Sequence, residues 1–457
     1  MERERLGSRL GFIFMSASCA IGLGNVWRFP HLAGSYGGGF FLLIFIACLL
    51  LLSLPILAVE FAVGRASQRS IARSFHQLQP QGTKWSLMGY VGMAGNYILM
   101  MFYTTISGWM INYFFRLARG DFSGATPDQV GQTFGSMLAS PFQNVGWMVV
   151  MVVAGFLVCA LGLRNSVERV TKIMMSGLLV ILLVLTVNGL TLSGAREGLA
   201  FLFVPRLDIL NEYSLFKIIS EAMGQAFFTV SVGMGSMAIF GSYIGKDRRL
   251  LGESINVGLL DMTVSLLSGI VVFTAVFTFA PGSVAAGPGL VFVTLPNVFA
   301  AMPLGRFWGA LFFLFITFAA FTTVIAVFEN LISCFTDITG WSRKKAALAN
   351  IPIVIAGSLP VALGFNVLSG VQPMGEGSGF LDLYDFALSN NILPLGALVY
   401  VLFCMTKLGW GYQNFMTEVN EGKGLRFPSN LKWYFTFIIP AVILFVLTMS
   451  YIDKFAG

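Results

Sequence analysis

Charge is scarce in this chain. Asp, Glu, Lys and Arg make up 11% of its 457 residues, while 56% are hydrophobic. So few charges cannot cover a water-facing surface around that much apolar matter. A soluble globular domain is excluded, and a polytopic membrane protein is left. Histidine is almost missing, with only His31 and His76. The five cysteines (Cys19, Cys48, Cys159, Cys334 and Cys404) all fall in apolar segments. They read as packed thiols rather than bridges, and no Cys/His group has metal-ligand spacing. The acids expected inside the membrane (Glu60, Asp261 and Asp385) have no His or Cys partner, so an enzyme is not expected. The net charge of +7 lies in loops and implies no nucleic-acid partner.

What is present is a series of apolar runs, each near the ~20 residues a bilayer requires. Eleven candidate spans cover roughly 9–33, 39–64, 87–117, 145–162, 168–190, 215–243, 252–280, 305–337, 345–364, 381–407 and 433–452. The start imitates a cleaved leader, with Arg3, Arg5 and Arg9 before an apolar run and Ser16-Ala17-Ser18. That run continues into further motif and further spans, so it reads as the first crossing. The loops alternate in charge. One side carries Arg65/Arg69/Arg73/Lys84, Arg164/Arg169/Lys172, Lys246/Arg248/Arg249, Arg343/Lys344/Lys345 and Lys423/Arg426/Lys432. The other side holds 119–144, 191–214, 282–304 and 365–380, with Arg119, Arg196 and Arg206 as its cations. The positive-inside bias predicts a cytoplasmic N-terminus, and an odd number of spans puts the C-terminus outside. The proline-punctuated loop 282–304 predicts a lid built from short helical pieces.

Two spans break the apolar pattern at mid-depth. The first reads Cys19-Ala-Ile-Gly-Leu-Gly-Asn-Val-Trp-Arg-Phe-Pro30, and the sixth reads Gly224-Gln-Ala-Phe-Phe-Thr-Val-Ser-Val-Gly-Met-Gly235. Backbone that unwinds at such depth must be buried in protein or line a wet cavity, where its freed N–H and C=O groups can hold ions. Close packing of small residues is the plainer reading of one Gly-x-Gly. A matched pair five spans apart points instead to an inverted repeat of five plus five. The expected fold is therefore an all-α polytopic bundle of about eleven helices in one domain, 1–457. Residues 1–190 and 215–407 would form the two repeats, and 433–452 an additional helix.

At these residues the chain resembles the neurotransmitter:sodium symporter family, in particular its bacterial LeuT-like amino-acid transporters. The matching blocks are Ala20–Pro30 with Gly37-Gly38-Gly39, Pro55–Arg65, Tyr103 with Trp109, Gly224–Gly235, Phe318–Ala326 and Asp385-Phe386. The resemblance implies sodium-coupled uptake of a neutral hydrophobic or aromatic L-amino acid by alternating access. It implies two sodium ions as cofactors, a lipid bilayer around the protein, location in the bacterial inner membrane, and leaves a homodimer open. One sodium site would take the Ala20 carbonyl, Asn25, Thr229 and Asp261, completed by the substrate carboxylate. The other would take carbonyls of Ser18, Ile21 and Ala319 with the hydroxyls of Thr322 and Thr323. By residue type alone that Thr pair reads rather as back-bonding within its own helix.

The same resemblance assigns the substrate carboxylate to the Leu23 and Gly24 amides and Tyr103. The amino group goes to carbonyls of Ala20, Phe228 and Thr229, and to Ser231. Gly22 stands where amine-carrying relatives have an acid, so the ligand should bring its own carboxylate. Leu99, Phe228, Met234, Val324 and Val327 would enclose its side chain. Arg28 and Asp385 would form the outer gate, with Phe228 as the lid over the pocket and Tyr36 and Phe386 as further cover. Arg3, Ser242, Tyr243 and Asp337 would form the inner gate.

The departures from the family pattern carry their own expectations. Asp261 stands where many relatives have Asn, and Phe45 replaces a Tyr that binds chloride in dependent members. Both predict no chloride requirement; Ser265, the residue type of chloride-dependent members, points the other way. Leu6 replaces a Trp of the inner gate, and Ser176 replaces a helix-breaking proline of span five. A sensor or channel on the same scaffold is the alternative. A channel would need a continuous polar stripe, whereas the polar groups here gather at mid-depth.

Overall fold

The computed structural model describes residues 7–280 and 289–455. The helices used below, in chain order, are α1 (Arg9–Ala20), α2 (Gly24–Ser35), α3 (Gly39–Ser67), α4 (Ile71–Leu78), α5 (Leu87–Arg119) and α6 (Pro127–Ala139). Next come α7 (Pro141–Ala160), α8 (Glu168–Leu190), α9 (Ala195–Phe203), α10 (Leu215–Thr229), α11 (Ser236–Gly241) and α12 (Leu250–Phe279). The last are α13 (Leu290–Ala301), α14 (Gly305–Thr339), α15 (Arg343–Leu363), α16 (Phe380–Met405), α17 (Tyr412–Val419) and α18 (Ser429–Ile452).

Among the described residues, nine helices are long and apolar enough to cross a membrane: α3, α5, α7, α8, α12, α14, α15, α16 and α18. A tenth crossing is the pair α1 and α2, bent by 54° at the Gly22-Leu23 break. The eleventh expected span is α10 followed by α11, of 15 and 6 residues, neither sufficient alone. Ten of the eleven expected crossings thus qualify by length and composition and the eleventh is helical in two pieces, with ends displaced by no more than about a helical turn. Caps explain the displacements. Ser140 accepts the Gln143 N–H at 3.3 Å and starts α7 at Pro141, ahead of the apolar run itself. Of the expected lid, α13 supplies the helical part, while 281–288 lie outside the described residues. The helices α4, α6, α9 and α17 in the loops were not legible from hydropathy.

The bundle is layered by burial. In α14 and α5, 78% and 72% of the membrane window is inside the protein, against 33% in α8 and α18. The α14–α5 pair is the central post, and α1, α8, α7 and α15 pack around it. Exposed apolar side chains on the outer helices, such as Val187 of α8 and Phe437 of α18, have only lipid to meet. Glycines set the closest approaches. A Cβ on Gly64 of α3 would overlap the Ala238 carbonyl of α11, and one on Gly396 of α16 would overlap the Gly233 carbonyl. The unwound part of span six is therefore pressed backbone to backbone against its neighbours.

Gly64→Val should cost about 1–3 kcal/mol through overpacking and lower the thermal unfolding midpoint in detergent. Gly131→Ala, in α6 where nothing lies within 4 Å of an added Cβ, should leave the midpoint unchanged or raise it. Equal midpoints for both variants would contradict the packing described.

Candidate functional site

Helix α1 ends at Ile21, which is extended at ψ 104°, and the chain turns again from Gly22, whose carbonyl accepts from Asn25 and Val26, into a wide turn over Gly24–Arg28 that starts α2. In span six the chain leaves α10 through Ser231 (φ 52°), Gly233 (φ 100°) and Gly235 (φ 74°) before α11 begins. Ser231 takes a left-handed conformation that is uncommon for a residue with a side chain. There its hydroxyl donates to the Cys19 carbonyl at 2.9 Å and ties one break to the other. The remaining freed groups find partners on the scaffold. The Gly233 N–H donates to the Glu60 carboxylate of α3. Asn96 of α5 donates to the Met234 carbonyl at 3.0 Å and accepts from Ser236 at 2.6 Å and Asn330 at 2.9 Å.

Two oxygen clusters lie beside the breaks. In the first, Asn25 Nδ2 donates to Asp261 Oδ1 (2.7 Å) and lies within hydrogen-bond reach of Ser265 Oγ (2.9 Å) and Thr229 Oγ1 (3.1 Å), which share its second hydrogen. Thr229 donates onward to the Asp261 carboxylate at 3.0 Å, and the Gly22 N–H donates to Asn25 Oδ1 at 2.9 Å. Asn25, Thr229, Asp261 and Ser265 are fully buried. The hydrogen-bond donors that reach the Asp261 carboxylate are both neutral side chains. In the second cluster, Thr323 Oγ1 lies 2.9 Å from the Ser18 carbonyl and 3.1 Å from those of Ile21 and Ala319. Thr322 instead donates to Phe318 and Ala319 of its own helix, at 2.9 and 3.1 Å. The two threonines thus divide the readings of the pair. One reaches across to the break, and the other back-bonds while sharing Ala319.

Between the clusters is a narrow, nearly closed cavity of about 10 Å³. Ala20, Gly22, Leu23, Gly24, Leu99, Tyr103, Phe228, Ser231, Met234 and Thr323 line it. The Leu23 N–H donates to Tyr103 Oη at 3.0 Å. The expected lining residues Val324 and Val327 are buried but are not brought to this wall. Val324 is turned toward Gly155 of α7. The wall is completed instead by Leu388 and Leu393 of α16, which sequence reasoning missed. A wide turn over Leu388–Ile392 carries them in, and only its following proline was a signal.

Phe228 and Leu23 also line a second, wider cavity of about 340 Å³, so they form the partition between the two. Arg28, Tyr36, Glu221, Asp382 and Asp385 face that wider space. Arg28 lies 3.6 Å from Asp385. Ser389 joins the pair, donating to Asp385 at 2.7 Å and accepting from Arg28 at 3.0 Å. The Arg28 guanidinium also covers the Phe228 ring at 4.8 Å. Phe386 packs against Tyr451.

At the end with the basic loops, Tyr243 donates to Glu329 at 2.9 Å, and Arg343 binds the same carboxylate at 2.5 Å. Asp337 accepts the Ser70 N–H at 2.7 Å and pairs with Arg69 at 3.7 Å. The Ser242 hydroxyl donates within its own turn, to Ile239. Arg3 and Leu6 lie outside the described residues.

The model of the sodium:neurotransmitter symporter family matches residues 3–125 and 137–456. The chain belongs to the sodium:neurotransmitter symporter family. Within it, the chain is 34% identical to the uncharacterized sodium-dependent transporter YhdH of Bacillus subtilis, over 96% of each chain. It is 25% identical to the sodium- and chloride-dependent taurine transporter of Rattus norvegicus, over 96% of this chain and 77% of that one. The crystal structure of MhsT in complex with L-phenylalanine superposes with a TM-score of 0.88 at 36% identity, over 98% of this chain and 99% of that one. The protein is thus a multi-pass, LeuT-fold, sodium-dependent transporter of this symporter family.

A Cβ on Gly22 would overlap both Tyr103 Oη and Thr323 Oγ1, whereas one on Gly24 would meet only the edge of the Phe228 ring at 3.0 Å, which can turn. Gly22→Ala should lower sodium-driven uptake in proteoliposomes by on the order of tenfold, equivalent to about 1.4 kcal/mol. Gly24→Ala should lower it less. The reverse order would refute the crowding around Gly22.

Proposed function

We propose that this transporter couples sodium entry to uptake of neutral apolar or aromatic L-amino acids, with no chloride requirement. The observation that carries the reading is Asp261: a fully buried carboxylate beside two opened helices, reached among the described residues by neutral donors alone. A buried carboxylate without a cationic side chain is disfavoured in its charged form in an apolar interior, so it either keeps a proton or takes up a cation, and Asp261 stands beside oxygens that suit a cation. One sodium would sit at the Ala20 carbonyl, Asn25, Thr229 and Asp261. A second would sit among the Ser18, Ile21 and Ala319 carbonyls with Thr323 and Thr322. The negative charge of Asp261 does the work that a bound chloride does elsewhere, and Phe45 in place of a hydroxyl agrees with that.

The substrate class rests on the cavity. Its polar end offers the Leu23 and Gly24 amides, Tyr103 and Ser231, and its far end is Leu99, Phe228, Met234, Leu388 and Leu393. That arrangement suits an α-amino acid with an uncharged side chain, and the similarity to phenylalanine-bound MhsT supports it. The basic-loop end is assigned to the cytoplasm. Arg28, Ser389 and Asp385 then close the pocket from outside, while Tyr243, Asp337 and Arg3 belong to the inner closure.

Uptake should appear for labelled phenylalanine, tryptophan or leucine under an inward sodium gradient, and vanish when potassium replaces sodium. It should be equal in chloride and gluconate. Asp261→Asn should reduce it at least about tenfold, the scale expected from losing a charged contact of ~1.5–3 kcal/mol. A large loss in gluconate would overturn the charge-replacement argument. If decarboxylated amines competed as well as the amino acids, the substrate class would be wrong.

Thr323→Val should raise the sodium concentration for half-maximal uptake more than Thr322→Val does, because Thr323 alone reaches the carbonyls of the first span. Equal effects of the two changes would argue against that division of roles.

A further inference from the structure

Helix α1 is a half-span of 12 residues, about 18 Å long at 1.5 Å per residue, set off from α2 by the first break. At the break the Gly22 N–H donates to the Asn25 side chain and the Leu23 N–H to Tyr103, rather than back into α1. Side chains of other helices hold its two ends. One end carries the Ser18 and Ile21 carbonyls, which accept from Thr323 of α14. The other end rests on Glu168, the first residue of α8. The Gly7 N–H donates to Glu168 Oε2 at 2.8 Å, and the Ser8 hydroxyl lies 3.3 Å from Oε1. Ser8 also caps α1, accepting the Gly11 N–H at 3.0 Å. A Cβ on Gly11 would lie 2.1 Å from Glu168 Oε1, so the absence of a side chain there lets the carboxylate lie against the helix.

The Glu168 side chain is 4% exposed, yet it belongs to neither oxygen cluster and to none of the gate pairs described above. Its charge is met by Lys172, one turn further along the same helix, at 2.6 Å. If α1 moves away, Glu168 keeps Lys172, so the carboxylate is not stranded as Glu329 would be. The contacts given up are those to a backbone amide and a hydroxyl, both of which water can replace. On its other side α1 is held by Arg9, which pairs with Glu253 of α12 at 3.0 Å. The Arg9 side chain is 47% exposed, so water competes for that pair more readily. Glu168 is the better shielded hold, and one built for release.

We propose that Glu168 is a positioning residue of the transport cycle. Its carboxylate fixes the free end of α1 against α8 while the basic-loop end is closed, and releases it when that end opens. A short helix moves as one piece, so holding one end steadies the other. The Glu168 contact thus favours the position in which the Ser18 and Ile21 carbonyls stand at Thr323. By reciprocity, a sodium ion at that cluster and the Glu168 contact strengthen each other. That coupling rests on the second sodium site proposed above, whereas the hold on α1 does not.

The test is hydrogen exchange of the full-length transporter in detergent, read by mass spectrometry over α1 in potassium and in sodium. In potassium, Glu168→Ala should speed exchange in α1 at least about fivefold and leave the α14 peptides unchanged. Glu168→Gln, which keeps a neutral acceptor for the Gly7 N–H, should fall between Glu168→Ala and wild type. Gly11→Ala supplies the opposing control, and it decides the matter if Glu168→Ala does not fold. Alanine favours a helix over glycine, so a purely local account predicts slower exchange in α1. Displacement of the Glu168 carboxylate by the added methyl predicts faster exchange. Wild-type exchange in Glu168→Ala, or slower exchange in Gly11→Ala, would overturn the proposal. The sodium concentration for half-maximal uptake should rise in Glu168→Ala as well. Faster exchange with that concentration unchanged would uphold the hold on α1 and count against the second sodium site instead, so the two readings fail separately.

Discussion

A helix opened inside a membrane must have its loose backbone groups held by protein, because lipid offers no hydrogen bonds. The rest of this structure follows from that constraint. Spans one and six both open at mid-depth, and every element around them is arranged to receive what they release. Glu60 of α3 takes the Gly233 amide, Asn96 of α5 takes the Met234 carbonyl, and Ser231 links the second break to the first. The helices of the central α14–α5 post are the most deeply buried of the crossing helices described. What the scaffold does not satisfy gathers into two oxygen clusters and a cavity between them. Sodium coupling in this family thus has a physical origin in the chain. In the proposed sites, carbonyls freed where the first span opens stand beside side-chain oxygens of Asn25, Thr229, Asp261 and Thr323.

The closures at the two ends are made differently. Away from the basic loops, the Arg28–Asp385 pair is half-exposed and bridged by Ser389, so it is a contact that water can compete for. Such pairs form and break readily, as a gate must. At the other end, Glu329 is fully buried and shared by Tyr243 and Arg343. Removing one partner there strands a buried charge, which is strongly destabilising. In the proposed cycle, opening at that end would move elements together rather than release one ion pair.

Much of the fold was legible in the sequence because hydropathy and loop charge are local signals. Both breaks showed as Gly-rich interruptions of otherwise apolar runs. The chemistry of the clusters was legible only through family resemblance, since Asn25, Asp261 and Thr323 are single polar residues on three separate spans. Nothing in their spacing says that they meet. The missed residues share one property: their direction depends on local helix geometry. Leu388, Leu393 and Ser389 reach the site because α16 widens by a turn at Leu388–Ile392, which shifts the face it presents. Val324 was expected at the cavity from its neighbours in the motif, yet it sits on the α14 face that meets Gly155 of α7. Helical phase, not residue type, decided each of these.

The claim that the opened helices are sodium cages is tested most directly by equilibrium binding of radioactive sodium to the purified transporter with saturating phenylalanine. Two ions per bound amino acid are predicted for wild type. Asn25→Ala and Thr323→Val should each lose one of the two, and they should lose different ones. Phenylalanine binding that proceeds undiminished when potassium replaces sodium would contradict the account.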